Sequence, residues 1–245
     1  MKPLHIVALV VAFSVVGCDN PPPPQKAPAP TATPATQAIQ PKIELAKNLL
    51  TRNRLLILDD SGSMNERECS GNKTKLDVAK VALERHIATS SQDDNLALAV
   101  FKRGGAQVIM PFGTGDAHRA QFLEKLKAVR PINNTPLAGS MIDGRKAMQE
   151  QAERQLGYGT YQIVVITDGH SNDGNPAPNA MDIVRQTPFE LHVIGFCVPG
   201  RTRHSLDIPG YTRYYTAESP EALAKGLAAV QAEVPVFDAT TFTAN

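Results

Sequence analysis

Residues 54–64 read Arg54-Leu55-Leu56-Ile57-Leu58-Asp59-Asp60-Ser61-Gly62-Ser63-Met64. Four consecutive aliphatic residues with no polar alternation suit a strand buried on both faces, the condition of a parallel sheet covered by helices. The run then stops abruptly on acids and small hydroxyl residues. Residues 75–88 follow with Leu76, Ala79, Val81, Leu83 and Ile87 set between charges, as an amphipathic helix requires. Strand followed by helix is the repeating unit of open α/β sheets.

The alternation continues toward the C-terminus. Residues 96–101 and 107–110 read as strands joined near Gly104-Gly105, 117–129 and 136–156 as helices, and 161–167 as another aliphatic strand. Residues 179–186 predict a short helix, 190–198 a strand, 213–216 a short edge strand and 220–232 a closing helix; 43–50 predict a helical lead-in. This order predicts an α/β fold, a doubly wound, mostly parallel sheet with helices on both faces, whose ligands sit at the carboxyl ends of the strands. Those ends carry the polar residues: Asp59 to Met64 after the first strand and Thr167-Asp168-Gly169 after the later one, with Asn133-Asn134-Thr135-Pro136-Leu137 before the long helix. The three loops converge if the two strands are neighbours.

Asp59-x-Ser61-Gly62-Ser63, Thr135 and Asp168-Gly169 resemble the metal-ion-dependent adhesion site of von Willebrand factor type A domains, in order and in intervals of about 75 and then about 33 residues. The similarity runs from about residue 52 to about 234. The resemblance implies a Rossmann-like fold that binds Mg²⁺, with Mn²⁺ or Ca²⁺ as alternatives, through Asp59, Ser61, Ser63, Thr135 and Asp168. Hydroxyls with few carboxylates suit such a hard cation, which prefers oxygen ligands and retains waters. It also implies an open coordination position that a protein partner's Asp or Glu carboxylate fills, making the metal a recognition element rather than a catalyst. The segment containing Gly195-Phe196-Cys197, His204-Ser205-Leu206 and Tyr214-Tyr215 resembles the C-terminal part of bacterial envelope members of that family. Singly, each motif has a plainer reading as a turn, a helix cap or a strand end.

With 25 basic and 24 acidic residues the formal net charge is +1, so no long-range field favours a polyanion, and nucleic acid is not an expected partner. No stretch reaches the roughly 18 to 20 apolar residues of a spanning helix. Membrane contact is therefore expected at the N-terminus. Residues 1–17 carry Lys2 and an apolar run over 4–16 broken by His5 and Ser14, the pattern of a signal peptide. Val15-Val16-Gly17-Cys18 resembles the lipobox of bacterial lipoproteins, which implies Cys18 as lipid acceptor; several acyl chains, at about 0.8 kcal/mol per buried methylene, anchor stably. Asp19 resembles a signal for retention at the inner membrane, so the expected location is the bacterial cell envelope, facing the periplasm. Residues 18–41, with Pro at 21–24, 28, 30, 34 and 41, form an expected semi-rigid spacer. Residues 42–245 are left as the domain.

Assigning Cys18 to lipid leaves Cys69 and Cys197. They either pair, closing a loop of about 130 residues worth roughly 4 to 5 kcal/mol in the chain-entropy account, or stand as two separate thiols. An enzymatic reading is weaker. Asp59-Asp60 invites comparison with haloacid dehalogenase-like phosphatases, but Ser61 stands where the acid-base Asp is required. Residues 139–146 have the glycine spacing of a phosphate-binding loop, but Arg145 replaces its Lys and Lys146 its hydroxyl. His170 either tunes the Asp168 site or is a solvated loop residue; Arg201, Arg203 and His204 read as a solvated basic loop. The sequence thus predicts a membrane-tethered, metal-dependent protein-binding module that is not an enzyme. A domain with a purely structural metal and a metal-dependent phosphohydrolase are the alternatives.

Overall fold

Leu55, Leu56, Ile57 and Leu58 lie fully buried in the central strand β1 (Arg52–Leu58). The computed structural model describes residues 43–132, 134–198 and 203–232, all within the unit Lys42–Asn245. On either side of β1 run two parallel strands, β2 (Asn95–Lys102) and β4 (Thr160–Thr167). The hairpin partner of β2, β3 (Gly105–Gly113), is antiparallel, while β5 (Glu190–Phe196) and β6 (Arg213–Ala217) extend the sheet in parallel from β4. The order is β3-β2-β1-β4-β5-β6, a mixed, mostly parallel six-stranded sheet as expected.

Successive strand residues point to opposite faces, which is why the aliphatic run has to be continuous. Leu56 and Leu58 join Leu98, Val164, Ile166 and Ile194 in one core. It is covered by α1 (Lys75–Thr89), α2 (Gly115–Ala128) and α5 (Pro220–Ala232) through Leu83, Ile87, Phe122 and Leu227. Leu55 and Ile57 join Ala97, Ile163, Val165 and Val193 on the other face, under α3 (Leu137–Arg154) and α4 (Ala177–Gln186) through Met141, Met148 and Ile183. Each such aliphatic side chain contributes about 1.5–3 kcal/mol on full burial.

The element boundaries fall within a few residues of those expected, with one exception. Residues 43–50 are not helical. An eight-residue segment does not sustain the cost of helix nucleation by itself, and its polar groups are drawn to the end of α3: the Ala46 amide donates to Arg154 O at 2.8 Å, and Arg154 Nε donates to Glu44 O at 3.2 Å. The expected signal peptide, Cys18 and the Pro-rich spacer lie outside the described residues. Among the described residues, no helix is long and apolar enough to cross a membrane.

The stretch with phosphate-loop glycine spacing lies inside α3, where Gly139 serves packing instead. A Cβ there would collide with the backbone carbonyl of Gly104, in the turn of the β2–β3 hairpin. Gly139→Ala is therefore expected to destabilise the protein by about 2 kcal/mol as α3 shifts off the hairpin. Urea denaturation reads this directly, and an unchanged midpoint would contradict the close approach.

Candidate metal centre at the junction of β1 and β4

The strand order reverses between β1 and β4, the place where open α/β sheets leave a crevice beyond the carboxyl ends of their strands. Leu58 is in register with Ile166, and the Asp59 amide continues the ladder to Ile166 O at 2.9 Å. Asp59 and Asp168 therefore emerge side by side, 0% and 1% exposed. Asp59 is held at both oxygens: Oδ1 accepts from the Ser61 amide at 2.8 Å and Oδ2 from the Thr167 hydroxyl at 2.6 Å. A single 3₁₀ turn over Gly62–Asn65, anchored by the fully buried Met64, returns Ser63 toward the strand ends. Ser63 Oγ donates to Asp168 Oδ1 at 2.8 Å, which leaves Ser61 Oγ as the donor in its 3.0 Å bond to Ser63 Oγ. Four of the five expected residues are thus linked by direct hydrogen bonds or lie on adjoining strand ends.

Thr135 arrives from the loop before α3. Its carbonyl accepts from the Asn172 amide at 3.0 Å, and its methyl lies across from Gly169. The expected plain role for Thr135, capping α3, falls to other groups. The Leu137 amide donates to Thr135 O at 2.9 Å, and the Ala138 and Gly139 amides donate to Asp173 Oδ1 and Oδ2 at 3.0 and 2.8 Å. Asp173, from the loop after β4, thus caps α3 across the chain and leaves the Thr135 hydroxyl unused by the helix. Burial opposes the Asp173 charge, but hydrogen bonds from Ser171, Gly139 and Ala138 outweigh it and hold the carboxyl below its ordinary range.

Electrostatically the strand ends are costly. Burial, then the charge of Asp168, pushes Asp59 up to about 6 against the bonds from Ser61 and Thr167. Burial also pushes Asp60 up to about 7, although its Oδ1 accepts from the Phe101 amide at 3.0 Å. That bond turns Asp60 toward β2. Lys75, which the sequence reading passed over, supplies the counter-charge: its Nζ lies 3.0 Å from Asp168 Oδ2 and 3.3 Å from Glu66 Oε2, with the side chain 2% exposed. Burial opposes the ammonium, but its hydrogen bond and attraction to Asp168, then Glu66, raise it above the usual lysine range. The signal was its phase, four residues before Ala79 on the buried face of α1.

Neighbouring groups stiffen the loops. Cys69 and Cys197 form a disulfide across 128 residues with Cα atoms 6.1 Å apart, tying the loop after the serines to the end of β5. Both half-cystines adopt left-handed backbone, φ 44° and 54°, a conformation that costs roughly 1–2 kcal/mol for an L residue and that the cross-link holds in place. His204 is not a solvated basic-loop residue: it is buried, donates from Nε2 to Gly169 O at 2.7 Å, and stacks between His170 and Tyr214. Arg203 pairs with Asp207 at the surface, and Arg201 lies outside the described residues. At the other end of β1, the buried Arg54 donates to Gln162 Oε1 at 2.9 Å and pairs with Asp94 at 3.4 Å. A groove of about 340 Å³ between α1 and α5, lined by Val78, Arg85 and Pro220 among others, contains none of the five residues.

Residues 55–170 match the family model of the von Willebrand factor type A domain. The uncharacterized protein YwmD of Bacillus subtilis (strain 168) is 25% identical over 157 residues, 59% of this chain and 67% of that one. The pilus adhesin SpaC of Lactobacillus rhamnosus GG shares the fold at a TM-score of 0.60 and 12% identity, over 77% of this chain and 31% of the adhesin. Proximal thread matrix protein 1 of the mussel byssus, solved with zinc occupying its metal-ion-dependent adhesion motif, does so at 0.56 and 18%, over 76% and 46%. This chain therefore spans less than half the length of either structural relative.

Among the described residues no group of three or more His, Cys, Asp or Glu side chains gathers as a metal site; the donors here are two carboxylates and hydroxyls, a set that fits a hard cation rather than a soft one. The acids also predict a pH dependence. A carboxyl raised on folding stabilises the fold only while protonated, so the Asp59 contribution is fully present below about 3.8 and is lost as pH rises through about 6. Asp59→Asn does not ionise. In chelator-stripped protein it should match wild type near pH 4 and exceed it by about 2–3 kcal/mol near pH 8, as read by urea denaturation. Equal stability near pH 8 would show that Asp59 carries no such burden.

Proposed function

We propose that this protein is a membrane-tethered, metal-dependent protein-binding module of the bacterial envelope. Asp59, Ser61, Ser63, Thr135 and Asp168 hold one divalent cation, Mg²⁺ first and Mn²⁺ or Ca²⁺ as alternatives, and a partner's Asp or Glu carboxylate completes its shell. The observation that carries the reading is the convergence at the β1–β4 switch point of two buried carboxylates and two serines, with the Ser61 hydroxyl bonded to that of Ser63, the Ser63 hydroxyl to Asp168 and the Ser61 amide to Asp59. A zinc-occupied motif in the mussel protein and an adhesin among the structural relatives are in keeping with it. When bound, the cation would supply a directional positive charge able to accept one further oxygen ligand. The chain's own residues do the rest: Thr167 and the Ser61 amide orient Asp59, and Ser63 and Lys75 orient Asp168.

Isothermal titration of the chelator-stripped protein should give saturable one-to-one binding of Mg²⁺ or Mn²⁺, and Asp59→Ala or Ser61→Ala should remove it while circular dichroism stays unchanged. Partner capture should vanish with chelator. Binding that survives both substitutions defeats the assignment of ligands. A fall in melting temperature of many degrees on metal removal, with partner binding intact, would instead support a purely structural metal.

The tether rests on the lipobox-like Val15-Val16-Gly17-Cys18. Growth with an alkyne-tagged palmitate should label the wild-type chain in the membrane fraction, and Cys18→Ser should abolish both the label and the fractionation. A Cys18→Ser chain that still sediments with membranes would disprove lipid anchoring.

A further inference from the structure

Seven large hydrophobic side chains stand exposed among the described residues, and five of them fall in two short segments: Ile43, Leu45 and Leu50 before β1, and Leu156 and Tyr158 before β4. Hydrogen bonds lay these segments alongside each other. Besides the ties of Glu44 and Ala46 to Arg154, Gln155 Nε2 donates to Asn48 O at 3.3 Å and to Thr51 O at 3.2 Å, and a Cβ on Gly159 would lie 2.7 Å from Thr51 O. The five side chains are 50–74% exposed. Leu156 even holds left-handed backbone, φ 53°, where glycine or asparagine is the ordinary choice. Scattered exposed hydrophobics need no explanation, but a cluster of them marks a contact surface.

Both segments lead into the amino ends of β1 and β4, whereas the candidate metal centre lies at the carboxyl ends of the same two strands. β1 spans seven residues, so about 20 Å separates the two edges. The spacer expected over residues 18–41 joins the domain just before Ile43. In the tethered reading that link keeps the edge bearing the cluster near the lipid, at an effective concentration of about a millimolar. A patch too small to hold a free protein on a bilayer is then sufficient. The charges beside it nearly cancel, Lys47 and Arg154 against Glu44 and Glu153, all exposed. The attraction is therefore apolar burial rather than a field from anionic headgroups.

We infer that this amino edge is a lipid-docking face: Ile43, Leu45, Leu50, Leu156 and Tyr158 seat in the interfacial layer of the bilayer, and the candidate metal centre is turned outward to its partner. The inference rests on the membrane-tethered reading above and adds an orientation to it. Aliphatic side chains with one tyrosine, apolar in body and polar at its tip, suit that layer.

The chain contains no tryptophan, so one introduced indole reports its own surroundings. The full lipidated chain is reconstituted as Tyr158→Trp, Leu50→Trp or Ile142→Trp into vesicles of phosphatidylethanolamine and phosphatidylglycerol, with or without brominated acyl chains. Ile142 is an exposed residue in the half of α3 nearer Thr135. Emission from Tyr158→Trp and Leu50→Trp should shift to the blue and be quenched by the brominated lipid, at low and high salt alike, while Ile142→Trp should stay unquenched. Adding Leu45→Asp and Leu156→Asp should abolish the quenching at position 158 and leave palmitate labelling intact. A palmitate-labelled chain whose indole at position 158 is unquenched, or is quenched no more than one at position 142, overturns the docking face and leaves the tether standing. An indole that is blue-shifted yet unquenched means that protein covers the patch, which overturns it too. A chain without palmitate label overturns the tether and this inference together.

Discussion

Leu58 lies beside Ile166 because β1 and β4 pair in parallel register, and the Asp59 amide extends that ladder by one bond. Everything at the candidate centre depends on this pairing. Residues about a hundred positions apart become neighbours at the strand ends, and the reversal of strand order opens the space above them. A slip of one residue would exchange the two faces of β1 and bury Leu56 and Leu58 against the wrong helices. The aliphatic core therefore enforces the register that aligns the acids.

The cost of that alignment is concentrated charge. Asp59, Asp60 and Asp168 are all buried at adjoining strand ends, and burial raises the first two well above ordinary carboxylates. The fold meets this locally: hydroxyls of Thr167 and Ser63, the amides of Ser61 and Phe101, and the ammonium of Lys75 each take one carboxylate oxygen. Such an arrangement has its cost offset by burial of the two apolar cores beneath it. It is also the kind of locally unfavourable arrangement that accompanies a binding site rather than a structural turn.

Loops above the sheet are fixed to each other as well as to their strands. Asp173 caps α3 from a different loop, Asn172 holds the Thr135 carbonyl, and the disulfide ties the residues after the serine turn to β5. In the chain-entropy account a cross-link of that span contributes about 5 kcal/mol. These ties restrict motion of the loops that carry the hydroxyls, so the proposed ligand set, drawn from three loops, would need no new ordering at each binding event.

Much was already determined by the sequence. The uninterrupted aliphatic runs of β1 and β4 require burial on both faces, so a parallel sheet between two helical layers follows from hydrophobicity alone. The acids and hydroxyls that end those runs have to lie at its carboxyl edge. What depends on contacts far apart along the chain was not legible there. The lead-in at 43–50 looked helical and instead follows α3, and the capping of α3, the plainer alternative to a metal role for Thr135, is provided by Asp173. Lys75 drew no reading from the sequence, yet it is buried against Asp168, because a lysine's phase on a helix shows which way it points but not what waits opposite. Local periodicity is written in a single segment. The partner of a buried charge is set only when distant segments pack, and tertiary structure alone decides it.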